Sequence, residues 1–192
     1  MRQRRRRFGC LTSLLGGVAI VALAVAVFYA ADALLYAPWA YGILGPTLTG
    51  DWGGTVRTSG GTHYVLYLEL NRKRTSHGTP INTRGRANID GHLSWCAPGM
   101  PNTTAGLYGS ANRSASIVSF EVGAPAHPHP GLLPFQFRGA FHGSTLVLRV
   151  RFRLYRNHAY VYSTAIPDEV KSVRLTLRKQ GYSTYQAACA RR

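Results

Sequence analysis

Two hydrophobic patterns divide the chain. From Phe8 to Ala31, 24 consecutive positions carry no charge and most are apolar. At about 1.5 Å per residue such a run makes a helix of roughly 36 Å, enough to cross a hydrocarbon core of about 30 Å with some tilt. Beyond Pro46 the apolar positions recur at every second residue instead, which is the period of a strand with one buried face. Eight runs follow this pattern: Leu48–Arg57, His63–Asn71, Arg84–Asp90, Leu107–Asn112, Ile117–Val122, Phe135–Gly143, Leu146–Tyr155 and Val173–Arg178. In the sixth, Phe135, Phe137 and Phe141 are expected on one face. No segment after the apolar run repeats at helical spacing over three turns.

Turn signals separate the runs at Gly60-Gly61, Thr79-Pro80, Ala97-Pro98-Gly99, Gly123-Ala124-Pro125 and Gly143-Ser144. Short spacings between neighbours favour sequential hairpins. The expected fold is therefore all-β: an N-terminal transmembrane helix followed by an antiparallel up-and-down barrel of eight strands, with a two-sheet β-sandwich as the alternative. The predicted organisation is a basic segment 1–7, the membrane helix 8–31, a Pro/Gly-punctuated connector 32–46, an exported β domain 47–181 and a C-terminal tail 182–192.

Charge adds a direction to this plan. The formal net charge is +16, from 23 Lys+Arg against 7 Asp+Glu. Arg2, Arg4, Arg5, Arg6 and Arg7 precede the span, and the next basic residue is Arg57. That asymmetry predicts a cytoplasmic N-terminus, a single pass through the inner (plasma) membrane and a C-terminal domain outside it. Tyr29, Tyr36, Trp39 and Tyr41 are expected at the outer headgroups. A cleaved signal is the rival, with Ala31-Asp32-Ala33 as its site, but the run is longer than a signal's apolar core of about 7–15 residues. From Thr47 onward, 18 basic residues face 6 acidic ones. Arg149, Arg151 and Arg153 share the polar face of the seventh run, and Arg174 and Arg178 that of the eighth, its expected antiparallel neighbour. Together they form a candidate anion-binding surface.

Catalytic chemistry is poorly supplied. No H-E-x-x-H, C-x-x-C, phosphate-binding glycine loop or G-x-S-x-G elbow occurs, and Asp51 and the adjacent Asp168-Glu169 read as turn or strand-end residues. An enzyme is not expected, nor is a cofactor or a metal. His127-Pro128-His129, with His92, His142 or His158 as conceivable further ligands, reads as a stiff polar loop. Cys96 and Cys189 lie on the exported side, where an oxidising compartment permits a disulfide. Whether the two bond is left open by the sequence; bonded, they would clamp the C-terminal tail onto the domain.

Gly50-Asp51-Trp52 resembles the G-x-W motif on the first strand of lipocalin-like, or calycin, barrels, over about residues 47 to 180. The resemblance implies that Trp52 closes the barrel base and stacks against a basic residue of the last strand, for which Arg174 or Arg178 is placed. It also implies a small-molecule or lipid-binding barrel in which Trp52 is structural. The expected function is a membrane-anchored extracytoplasmic binding module for a small apolar or amphiphilic ligand, or for an anionic envelope component. The alternative is a structural envelope domain that holds a partner protein. The expected partners are the lipid membrane, an acidic envelope polymer, an acidic partner protein or a small amphiphilic ligand; nucleic acid is disfavoured by topology.

Overall fold

The uncharged run is helical. In the computed structural model, which describes residues 4–42, 45–58, 60–73, 88–125, 129–156, 159–161 and 172–191, helix α1 spans Arg4–Ala31. It continues into a π-helical turn, Asp32–Tyr36, and a 3-10 turn, Pro38–Ala40. Val18, Ile20, Val21, Leu23 and Val27 are each at least 60% exposed. A helix apolar on every side and uncovered by protein suits lipid rather than a core. The stretch Gly16–Tyr36 is long and apolar enough to cross a membrane.

Among the described residues nine strands follow: β1 (Gly50–Arg57), β2 (His63–Arg72), β3 (Ile89–Ala97), β4 (Met100–Ala111), β5 (Val118–Val122), β6 (Gly131–His142), β7 (Thr145–Arg156), β8 (Ala159–Val161) and β9 (Ser172–Lys179). Every pairing is antiparallel, and β1 through β7 follow one another around the sheet. β9 pairs with β7 on one side and β1 on the other, so eight strands close into a barrel. The short β8 adds to the end of β7. Closure, rather than a sandwich, removes both sheet edges. The inward rows form one cluster that includes Trp52, Leu66, Leu68, Leu93, Trp95, Phe120, Phe137, Leu148 and Leu177.

Three strands depart furthest from the expected bounds, each for its own reason. β3 occupies Ile89–Ala97 rather than Arg84–Asp90; residues 84–87 lie outside the described residues. Its inward row is Ile89, Gly91, Leu93, Trp95 and Ala97, and the glycine interrupts the visible alternation. β4 starts at Met100 rather than Leu107, because Thr103 and Ala105 face inward and neither announces itself as apolar core. β6 starts at Gly131, before a proline that ordinarily argues against a strand.

Neighbouring strands approach most closely at three glycines. An added Cβ at Gly91, Gly109 or Gly139 would lie 1.8, 2.1 or 2.0 Å from the carbonyl oxygen of Glu69, Ser119 or Val147 on the adjoining strand. Only a residue without a side chain permits that approach. At Gly109 and Gly139 the adjoining backbone thus occupies the place that a side chain would take. Gly85 and Ala87, small positions of the expected third run, lie outside the described residues.

The connector plugs one barrel end. Ala37, Trp39 and Leu48 join the core cluster, and Trp39 Nε1 donates to the Asn112 carbonyl at 3.1 Å. Trp39 is thus 4% exposed and not part of a headgroup belt. Beside it, Asp32 and Arg72 form an ion pair at 3.0 Å with both side chains 5% exposed. Tyr41 donates its hydroxyl proton to the same carboxylate at 2.6 Å, and Arg72 also donates to the Asn88 carbonyl. The end of the apolar helix is thereby tied to the last residue of β2.

The C-terminal tail is not featureless: it contains helix α2, Tyr182–Ala190. Nine residues make a marginal helix in isolation, so tertiary contacts must hold it. Tyr182 and Tyr185 pack on Tyr67 of the barrel wall, the Tyr185 hydroxyl donates to Asn102 Oδ1, and Cys189 is bonded to Cys96. Burial, and secondarily Tyr182, raises the Tyr185 phenol above its ordinary pKa. The bond closes 93 residues of chain. Replacing both cysteines by serine is expected to cost about 2–4 kcal/mol, chiefly by releasing the unfolded chain. Thermal unfolding should show that loss, and amide exchange should quicken first in α2; unchanged exchange there would show that the aromatic contacts alone seat the helix.

Candidate binding face

The exposed arginines come together on the outer surface of β6, β7 and β9. β6 and β7 meet in a tight hairpin in which His142 pairs with Thr145 across Gly143-Ser144, with Gly143 at φ 61°. Counting back from that turn puts Arg138 opposite Arg149. On the other side of β7, Arg149 stands opposite Arg174 of β9. Three arginines on three neighbouring strands thus lie in one row, at a strand spacing of about 4.8 Å. All three are exposed.

Like charges directly opposite one another are destabilising, by about 0.2–1 kcal/mol per pair. Among the described residues no ion pair reaches this row: those present are Arg72–Asp32 and a longer His92–Glu69 contact, both elsewhere, and the nearest carboxylate in register, Glu121, is diagonal to Arg138. Arg178 lies farther along β9, opposite Thr145 and Gly53 at the plugged end. Arg151 and Arg153 continue β7 away from that end. All five arginines singled out in the sequence therefore share this outer surface, with Arg138 as a sixth.

A β-bulge gives the surface its relief. The β6–β7 register shifts between Pro134 and Gln136, so Phe135 and Gln136 together oppose Arg151. The shift turns Phe135 to the outside while Phe137 stays in the core at 0% exposure, so the three phenylalanines do not share a face. Phe141 is inward, with its ring 5.7 Å from Trp52. The Phe135 ring now carries two guanidinium groups: Arg153 Cζ lies 4.2 Å and Arg151 Cζ 5.6 Å from its centroid. Arg151 also donates to Gln136 Oε1 at 3.2 Å. Around them opens a groove of about 390 Å³, lined also by Tyr108, Glu121 and Arg138. Tyr108 pairs with Glu121, Glu121 with Gln136, and Gln136 with Arg151, so one row across four strands runs aromatic, carboxylate, amide, guanidinium.

At the plugged end, Trp52 is fully buried and its Nε1 donates to the Leu48 carbonyl at 2.7 Å. Its cationic partner is Lys179, not Arg174 or Arg178. Trp52 and Lys179 are register partners, the ammonium lies 4.2 Å from the ring centroid, and it also donates to the Thr49 carbonyl. Arg174 and Arg178 belong to the outward row of β9. Burial holds the Lys179 ammonium below its ordinary pKa, with the Asp51 carboxylate pulling the other way.

Among the described residues no three His, Cys, Asp or Glu side chains gather as they would around a metal ion. His127, His158, Asp168 and Glu169 lie outside the described residues. Compared with protein-family models, curated proteins and solved structures, the chain has no match, so strand order and register carry the fold assignment.

Proposed function

We propose that this protein is a single-pass membrane protein whose extracytoplasmic, lipocalin-like barrel captures an anionic envelope component on its outer basic face. One observation carries the reading: the Arg138–Arg149–Arg174 row, three exposed arginines in mutual repulsion that no ion pair reaches among the described residues. An anion laid across the row turns that repulsion into charge-assisted hydrogen bonds, the strong class of such bonds. Five arginines ahead of the span support the cytoplasmic placement of the N-terminus. Gly50-Asp51-Trp52 on the first strand, with Lys179 of the last strand over the Trp52 ring, supports the lipocalin-like relationship. No catalytic step is assigned to this face; its chemistry is recognition.

The test uses the full chain in zwitterionic nanodiscs, titrated with inorganic polyphosphate. At about 1 kcal/mol for each exposed charge-assisted contact, reversing Arg149, Arg151 and Arg153 to Glu should weaken binding by about a hundredfold or more. Binding by the unaltered chain should also weaken as salt rises. Unchanged binding by the triple variant would remove this surface from the function.

A second reading, a small apolar or amphiphilic ligand inside the barrel, draws on Trp95. Its Nε1 is buried with no hydrogen-bond acceptor among the described residues, an unusual state for an indole N–H. Native mass spectrometry of the protein released from detergent should show a retained small molecule on this reading; a bare mass counts against it.

A further inference from the structure

We infer that the groove around Phe135 is a saccharide subsite, built for a sugar that bears a carboxylate, phosphate or sulfate group. The inference rests on the anion-capturing face proposed above and narrows its ligand. A plain polyanion has no use for half of the lining. It would be repelled by Glu121, which sits between Tyr108 and Gln136 in the row, and it has no apolar face to set against an aromatic ring.

An acidic sugar uses the groups that a plain polyanion leaves idle. Its C–H face covers the exposed ring of Tyr108, which is 45% exposed on the groove wall. Its hydroxyls donate to the Glu121 carboxylate and exchange hydrogen bonds with the Gln136 amide. Its anionic substituent meets Arg138 and Arg151, whose forked donors match a carboxylate or a phosphate. Phe135 is the floor that sets this spacing. By stacking beneath Arg151 and Arg153 it holds the guanidiniums in place before a ligand arrives, at an aromatic position created by the bulge. The volume of about 390 Å³ lies within the range of small-molecule sites. Beyond the groove, the row through Arg149 and Arg174 gives the rest of an acidic polymer a place to run.

Isothermal titration of the full chain in zwitterionic nanodiscs tests this with three soluble probes, oligogalacturonate, a neutral oligosaccharide and inorganic polyphosphate, and anionic vesicles serve as a fourth. Oligogalacturonate should bind and the neutral oligosaccharide should not. Tyr108→Ala should weaken oligogalacturonate about tenfold while leaving polyphosphate unchanged. Arg174→Glu should weaken both, and unchanged circular dichroism would certify the fold of each variant. If Tyr108→Ala leaves oligogalacturonate untouched, or if only polyphosphate or anionic vesicles bind, the saccharide subsite is overturned while the anion-binding face stands. If no anion binds, or if Arg174→Glu and the triple reversal change nothing, the face itself is overturned and the subsite falls with it.

Discussion

Replacing Arg72 by methionine is expected to destabilise the protein by about 3–5 kcal/mol, because it leaves the Asp32 carboxylate buried without its cation. Both side chains are 5% exposed, so water cannot take over the role of the missing guanidinium without rearrangement. Tyr41 would remain as a donor to Asp32, but one neutral hydroxyl does not replace a charged fork. The Arg72 Nη1 bond to the Asn88 carbonyl disappears as well. The companion variant decides the interpretation. Asp32→Leu combined with Arg72→Met removes both charges and should recover most of the loss, since a buried pair replaced by apolar groups is often close to neutral. Denaturant unfolding of the full chain in detergent, followed by tryptophan fluorescence, measures both. A single Arg72→Met change costing under about 1 kcal/mol would mean that the N-terminal helix and the barrel are not energetically joined through this pair.

A comparable loss, about 3–5 kcal/mol, is expected for Trp52→Ala. The indole is fully buried, packs edge-on to Phe141 at 5.7 Å, lies under Lys179 and bonds to the Leu48 carbonyl. Alanine would leave a cavity at the barrel end that the Leu48 and Trp39 plug seals. Trp52→Phe should cost less, roughly 1–2 kcal/mol, since it keeps most apolar burial and loses chiefly the indole hydrogen bond. Lys179→Met should cost less than about 1 kcal/mol, the worth of one cation–π contact at a partly exposed site. The same unfolding measurement ranks the three variants; a Trp52→Ala loss no larger than that of Lys179→Met would mean that closure of the base does not depend on the indole.

Where alternation is strict, the sequence pattern and the strand coincide. Leu146 through Leu154 alternates with charged or bulky outward residues, and β7 occupies Thr145–Arg156 accordingly. The pairing of β7 with β9 was likewise expected, and Arg149 does stand opposite Arg174. Arg138 was also within reach, since the Gly143-Ser144 turn makes it and Arg149 equidistant from the hairpin tip. Phe135 was not. A bulge changes the face of one residue without altering the composition around it, and alternation through Phe135, Phe137 and Phe141 suggested an uninterrupted inward row. Helix α2 was invisible for another reason. Tyr182, Tyr185 and Cys189 do recur at helical spacing, but over only nine residues whose stability comes from Tyr67 and Cys96, far away in sequence.

Taken by itself, the sequence determined the apolar span, the one-sided burial of the strands and the sign of the exposed surface, because each is a property of neighbouring residues. A charge-free run is apolar whatever surrounds it, and a period of two buries one face of any strand. The tertiary structure decided what depends on residues distant along the chain. It chose closure over a sandwich, put Lys179 rather than an arginine on Trp52, joined Cys96 to Cys189, brought Asp32 to Arg72, and turned Phe135 outward beneath two guanidiniums. Those outcomes follow from register, strand coiling and packing, in which a shift of one residue exchanges the inner and outer faces. The arginines were legible as a charge; only the closed barrel made them a row with a groove beside it.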